Sequence, residues 1–173
     1  PEQIDALFAE LERRFGAAPD VVLYNPSARV RGPLVELPRD EVARALAVSA
    51  YGGFLVAQLA ARGMLARGRG AILFTGASAS VKGYPLSAPF AMGKFALRGL
   101  AQSMARELHP RGIHVAHFVI DGGIRNPGRT EPAEAPDSML DPDAIARSYL
   151  HVLRQDRSAW THEVELRPWV ERF

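Results

Sequence analysis

Lysine stands at only two positions in this chain, Lys82 and Lys94, although Lys and Arg together number 21. Lys94 ends a stretch dense in small and hydroxyl-bearing residues: Thr75-Gly-Ala-Ser78-Ala-Ser80-Val-Lys-Gly-Tyr84-Pro-Leu-Ser-Ala-Pro-Phe90-Ala-Met-Gly-Lys94. Ser78, Ser80 and Tyr84 put hydroxyl groups, each able to donate and accept, into the same stretch. Phe90, four residues before Lys94, has nothing to ionise. Ser78 and Ser80 serve equally well as hydrogen-bonding turn residues, and Asn25, after an apolar run, as a turn former. Other chemistries lack carriers. There is no Cys, which excludes a disulfide framework and thiolate chemistry. The five His show no H-E-x-x-H or paired-ligand spacing, so no metal site is expected. His114 and His117, three apart on a predicted strand, should face opposite sides. No G-x-S-x-G elbow occurs, which argues against a hydrolase.

The elements that must carry these residues follow from periodicity. Ile4, Leu7, Phe8, Leu11 and Phe15 form one stripe, predicting a helix over 1–15 that Gly16 stops. Residues 20–24 read as a strand buried on both faces. Pro38 opens a long Ala-rich helix to about Leu65, with Gly52-Gly53 in its middle. Residues 71–74 read as a second buried strand, 75–87 as a loop, 88–108 as a helix and 113–120 as a strand. Residues 121–140 are rich in Gly, Pro and acids and read as a mobile loop. Asp141-Pro142 caps a helix to about Leu153, and 162–167 alternates like an edge strand. Strands separated by full helices imply an α/β fold: a doubly wound parallel sheet with helices on both faces. Ligands in such sheets sit beyond the carboxyl ends of the strands, where the loops at 25–28, 75–87 and 121–126 would meet.

With 173 residues, 47% apolar and 23% charged, the chain suits one globular domain over 1–173. The net charge is only +2 and the Arg residues are scattered without interleaved aromatics, so no nucleic-acid partner is expected. No run of about 18 uncharged apolar residues occurs, so no membrane span is expected. The charged, acidic start shows no leader pattern, which makes the cytoplasm the expected compartment.

Several stretches together resemble the short-chain dehydrogenase/reductase family. The 75–97 stretch is similar to the family's Ser followed by Tyr-x-x-x-Lys, here Phe90-x-x-x-Lys94. Val21-Val22-Leu23-Tyr24-Asn25-Pro26-Ser27-Ala28 resembles a strand and its Asn-Asn-Ala-Gly cofactor turn. Val48-Ser49-Ala50-Tyr51-Gly52-Gly53-Phe54 resembles the helix motif Val-Asn-Leu-x-Gly-x-Phe. Residues 100–108 are similar to the helix after the Lys. Val119-Ile120-Asp121-Gly122-Gly123-Ile124 stands where Pro-Gly-x-Ile follows the sixth strand. Five motifs in order are specific where none alone is.

The resemblance implies an NAD or NADP cofactor and a small-molecule substrate. It assigns cofactor contacts to Asn25, Ser27, Ala28, Lys94, Asp121, Gly122 and Ile124, with Lys94 holding the ribose, and catalytic places to Ser78, Ser80, Phe90 and Lys94. It also implies a homo-oligomer built through the helices at 38–65 and 88–108. The departures are chemical and architectural. Phe90 stands for the Tyr and Ser49 for the Asn, and Ala77 falls where the Ser would be, Ser78 needing a one-residue gap and Ser80 a three-residue one. Losing a general acid costs about 10²–10⁴-fold, so hydride transfer is expected to be weakened or altered; the alternative is a catalytically inactive binding or assembly subunit. No Gly-rich pyrophosphate turn follows any predicted strand, so about two βα units, roughly 60 residues, look absent. The residues present are then expected to be the C-terminal part of a Rossmann-like domain and to bind nicotinamide nucleotides weakly on their own. The outer edge of the first strand is expected to be covered by a partner chain or a rearrangement.

Overall fold

A computed structural model describes residues 1–172. Helix α1 (Glu2–Phe15) ends on Gly16, whose left-handed backbone (φ 70°) returns its N–H to Glu12. Strand β1 (Val21–Tyr24) leads to α2 (Arg39–Leu46), which passes through a π turn (Ala47–Tyr51) directly into α3 (Gly52–Arg67). Strand β2 (Gly70–Thr75), helix α4 (Ala88–Leu108), strand β3 (Ile113–Ile120), helix α5 (Pro142–Leu153) and strand β4 (Glu163–Leu166) follow. The Asp141 side chain accepts from the Asp143 N–H, the cap that Asp-Pro predicts.

All four strands are parallel, in the order β1-β2-β3-β4. Alternation of side chains divides the core. Ile72, Phe74, Ile113 and Val115 pack under α3 and α4, against Met64, Leu97 and Leu108. Leu73, Ala116, Phe118 and Ile120 point the other way, toward Tyr149 and Val152 of α5. Helices therefore lie on both faces. All eight residues of β3 are buried.

Strand β1 departs from expectation. Its sequence reads as buried on both faces, but Val21 and Leu23 are 47% and 50% exposed. The reason is geometric: α3 covers the side bearing Val22 and Tyr24, whereas α5 reaches only as far as Leu73. Among the described residues nothing pairs with the outer edge of β1. An open apolar cleft of about 520 Å³ remains there, walled by Val21, Leu23, Leu73, Ile124 and Tyr149.

Gly52 and Gly53, which look like helix breakers, mark close approaches instead. A Cβ on Gly52 would lie 2.5 Å from the Tyr24 hydroxyl oxygen, and one on Gly53 2.7 Å from Leu97. Together α2 and α3 form a helix over Arg39–Arg67 long and apolar enough to cross a membrane by length and composition alone, a test that core helices also pass. Here its inner residues Ala57, Ala60 and Met64 pack on the sheet. The 121–140 segment is tied at both ends: the Arg125 N–H donates to Leu140, and the Leu140 N–H to Gly123.

Candidate active site

Strand register sets the site. Tyr24 pairs with Phe74 and Phe74 with His117, so the connections leaving β1, β2 and β3 emerge from the same edge of the sheet. The loops carrying Asn25, Ser78 and Asp121 therefore meet at one mouth, as the strand pattern implies.

Lys94, from the second turn of α4, enters this mouth from the α4 face. It is 2% exposed, and its ammonium donates to the Thr75 carbonyl over 2.7 Å. That carbonyl ends β2, so the lysine is fixed at the carboxyl edge of the sheet. Desolvation, and then the nearby Arg29 guanidinium, lower its pKa to about 8. An ammonium has three donors, and one is used here, which leaves two for ligand oxygens. That spare capacity in a buried cation fits the ribose hydroxyls of a nicotinamide nucleotide.

Phe90 is buried one turn before Lys94, its ring centre 5.9 Å from the ammonium. On the same ring lies Arg29, its guanidinium carbon 4.1 Å from the centre. The ring presents an apolar face with two cations near it.

Ser49 sits in the π turn between α2 and α3, fully buried. Its hydroxyl accepts from the Ala28 N–H at 3.1 Å and is 3.4 Å from the Ala28 carbonyl, to which it donates. It thus pins the turn that leaves β1. Gly93 permits this, since a Cβ there would stand 2.7 Å from that of Ser49. The extra residue of a π turn re-aims side chains within a helix, and sequence periodicity gives no sign of it.

The two serine candidates part company. Ser80 is fully buried, and its hydroxyl accepts from the Ala77 N–H at 3.1 Å, holding the short 3₁₀ turn Ser78–Ser80. Ser78 is half-buried. Tyr84 is exposed, its ring 5.8 Å from the Lys82 ammonium. Asn25 and Ser27 are exposed at the mouth and Ala28 is half-buried. Asp121 is buried, with Lys82 at 3.4 Å and Arg167 at 3.6 Å from its carboxylate. It clamps the loop after β2 to the ends of β3 and β4. Gly122 follows at φ 149°, a backbone suited to glycine, and a Cβ there would meet Pro168 at 2.6 Å. Ile124 is bridged to Leu140 and borders the open cleft.

A second polar group lies beneath the mouth, unannounced by any motif. His117 is fully buried; its Nδ1–H donates to Glu163 at 3.0 Å, and Arg98 grips the same carboxylate through two bonds of 2.7 and 2.8 Å. Its Nε2 is buried without a partner, directly under Gly76. Burial holds its pKa down to about 4, against the pull of Glu163, so the ring is neutral. His114 faces away, as spacing implies, and stacks on Trp160 at 4.6 Å. On the α5 side the Tyr149 hydroxyl is 2.8 Å from that of Thr75, and burial pushes its pKa up to about 12. This phenol, hard to ionise, packs with α5, on the far face of the sheet from Lys94.

A family model described as enoyl-(acyl carrier protein) reductase matches residues 1–153. Among curated proteins, the 17-beta-hydroxysteroid dehydrogenase type 1 of Homo sapiens is 32% identical over 122 residues, 70% of this chain and 37% of that protein. Among solved structures, a short-chain dehydrogenase from Rhodopseudomonas palustris is 36% identical, with a TM-score of 0.80, covering 97% of this chain and 70% of that one. A 4-hydroxyisoleucine dehydrogenase complexed with NADH shares the fold at 21% identity and a TM-score of 0.85, covering 98% of this chain and 76% of that one. The chain spans between 37% and 56% of the length of the first curated relatives it matches. A match running through the mouth and its strands, with a relative more than a third identical along almost the whole chain, establishes that this chain belongs to the short-chain dehydrogenase/reductase family.

Proposed function

We propose that the protein is an NAD(P)-dependent oxidoreductase of the short-chain type in which hydride transfer is weakened or altered by Phe90. The observation that carries the reading is the buried Lys94 ammonium, fixed at the carboxyl edge of β2 with two donors unspent. A nicotinamide nucleotide, when bound, supplies or removes hydride. Lys94 would hold its ribose hydroxyls, and Asn25 and the turn at Ser27-Ala28, pinned by Ser49, would border it. The fit covers the ribose end only, since these residues include no Gly-rich turn after a strand. Ser78, half-buried in the loop after β2, is the better placed of the two serines to pass a proton. Ser80 spends its hydroxyl on the Ala77 N–H.

The substitution at 90 sets the test. In the complete protein, Phe90→Tyr places a phenol one turn from Lys94, whose charge lowers the phenol's pKa. Carbonyl reductase activity should rise by about 10²-fold or more. An unchanged rate across a panel of aldehydes and ketones, with folding intact, defeats the reading.

A second reading has its own observation. Phe90, Ala77 and Ser49 together replace the groups that move protons in the family, while Tyr51, Phe54, Met92 and Phe95 stand exposed on the long helices. A non-catalytic subunit joined to a second copy through those helices accounts for both. A nucleotide-independent dimer, and no gain from Phe90→Tyr, would favour it.

A further inference from the structure

At the amino end of β3, away from the mouth, side chains do the work of a strand. Strand β4 first meets β3 at His117, whose N–H donates to the His162 carbonyl over 2.8 Å. Two residues earlier, Val115 turns its own N–H and carbonyl to the same side, where β4 has not yet begun. Imidazoles take its place. The Val115 N–H donates to His109 Nε2 at 3.0 Å, and His162 Nδ1 lies 3.4 Å from the Val115 carbonyl. His114 adds a bond of 2.9 Å from its Nε2 to the Thr161 carbonyl. Trp160 completes the group, stacked on His114 at 4.6 Å and edge-on to His109 at 5.4 Å. Three imidazoles and an indole thus fasten the 155–162 connection over an otherwise open strand edge.

The fastening needs His109 neutral. Its Nε2 is also 3.0 Å from the Val115 carbonyl. Unprotonated, that nitrogen accepts from the Val115 N–H. Protonated, it can only donate, to the carbonyl, and the N–H loses its partner. Protonation also gathers like charges, because the His109 ring centre is 5.6 Å from that of His114 and 6.5 Å from that of His162. The acids on the surrounding elements are engaged elsewhere. Glu163 holds His117 and Arg98, Asp156 holds Ser158, and Glu107 lines the groove toward α3. The remaining charges there, Arg106, Arg111, Arg154 and Arg157, are cations. A Cβ on Gly112 would lie 3.8 Å from the Arg157 guanidinium, so one of them stands close by. Burial lowers the pKa of His114 against the pull of its Thr161 bond, and His109 and His162 push it the same way as burial.

We infer that these rings form an acid-sensitive latch: when His109 takes up a proton, the 155–162 connection lifts and leaves the edge of β3 open at Val115. The connection runs directly into Glu163, which holds His117 and Arg98 beneath the mouth. The latch therefore acts on the strand that anchors that buried group.

Amide exchange in the complete protein, followed by NMR between about pH 8 and pH 5, tests it, since that is where imidazoles ordinarily change charge. Each rate is divided by that of an unstructured chain at the same pH. Protection of the Val115 amide should fall at least about tenfold more than that of Ile72, inside β2, which reports opening of the whole sheet. His109→Gln, whose side-chain oxygen accepts at every pH, should remove that difference. Should this variant fail to fold, the imidazole ¹⁵N spectrum of the unaltered protein decides instead. His109 Nε2 should gain its proton over the same pH interval in which Val115 loses protection. An unchanged Val115, a fall shared equally by Ile72, an equal fall in folded His109→Gln, or a His109 Nε2 that stays unprotonated while Val115 opens overturns the inference.

Discussion

The buried lysine should make this protein more stable, relative to a lysine-free variant, as the solution turns alkaline. Lys94 has a pKa of about 8 in the folded chain against an ordinary 10.5, chiefly because burial strips water from its ammonium. Below pH 8 the folded state carries the full cost of keeping that charge. As pH rises from 8 toward 10.5 the folded state sheds the proton first, and the cost disappears. The gap between the two values corresponds to roughly 3 kcal/mol, of which about 2 kcal/mol should be recovered between pH 7 and about pH 9.5. Tyr24 and Tyr149 act in the opposite sense, because burial raises both, but only above about pH 10. Lys94→Met keeps the length and apolar stem without the charge, at the expense of a hydrogen bond to Thr75 worth about 1–3 kcal/mol. Urea unfolding of both proteins at several pH values isolates the lysine, since all other groups cancel in the difference. Wild type should gain about 2 kcal/mol on Lys94→Met across that window. Parallel pH profiles for the two proteins would refute the burial argument.

Two further outcomes follow from the same geometry. His117 is held neutral by burial, with a pKa near 4 against 6.5, so stability should fall as pH drops from 6.5 toward 4. Urea titrations of wild type should show a loss of about 2 kcal/mol between pH 6.5 and about pH 4.5 beyond that of His117→Gln, which keeps an N–H toward Glu163; equal losses would contradict it. Gly93→Ala should destabilise by about 1–2 kcal/mol, because overpacking against Ser49 exceeds the gain of about 1 kcal/mol in helix propensity. A raised urea midpoint for that variant would show that the two helices do not approach so closely.

The fold was largely legible because the signals are periodic. The apolar stripe of α1, the Asp-Pro cap of α5 and the eight-residue run of β3 each fix an element without help from the rest of the chain. Strand β1 was misread for a reason in the same physics: Val21-Val22-Leu23 is apolar on both sides, and composition does not say whether anything covers the second side. The site was legible only through order. Lys94 stood out by rarity and register, and the structure shows it buried at the mouth. Arg29 was invisible among many arginines, because its place on the Phe90 ring depends on the π turn and the Ser49 anchor. The His117–Glu163–Arg98 group joins three distant parts of the chain, and no spacing rule could assemble it.

The central claim is that Lys94 presents its ammonium to the ribose of a nicotinamide nucleotide. The most direct measurement is the ¹³Cε resonance of Lys94, with that of Lys82 as control, during saturating addition of reduced nicotinamide mononucleotide to the complete protein. The account predicts a saturable movement of the Lys94 resonance while Lys82, paired to Asp121, stays in place. A stationary Lys94, or a common drift of both lysines, would contradict it.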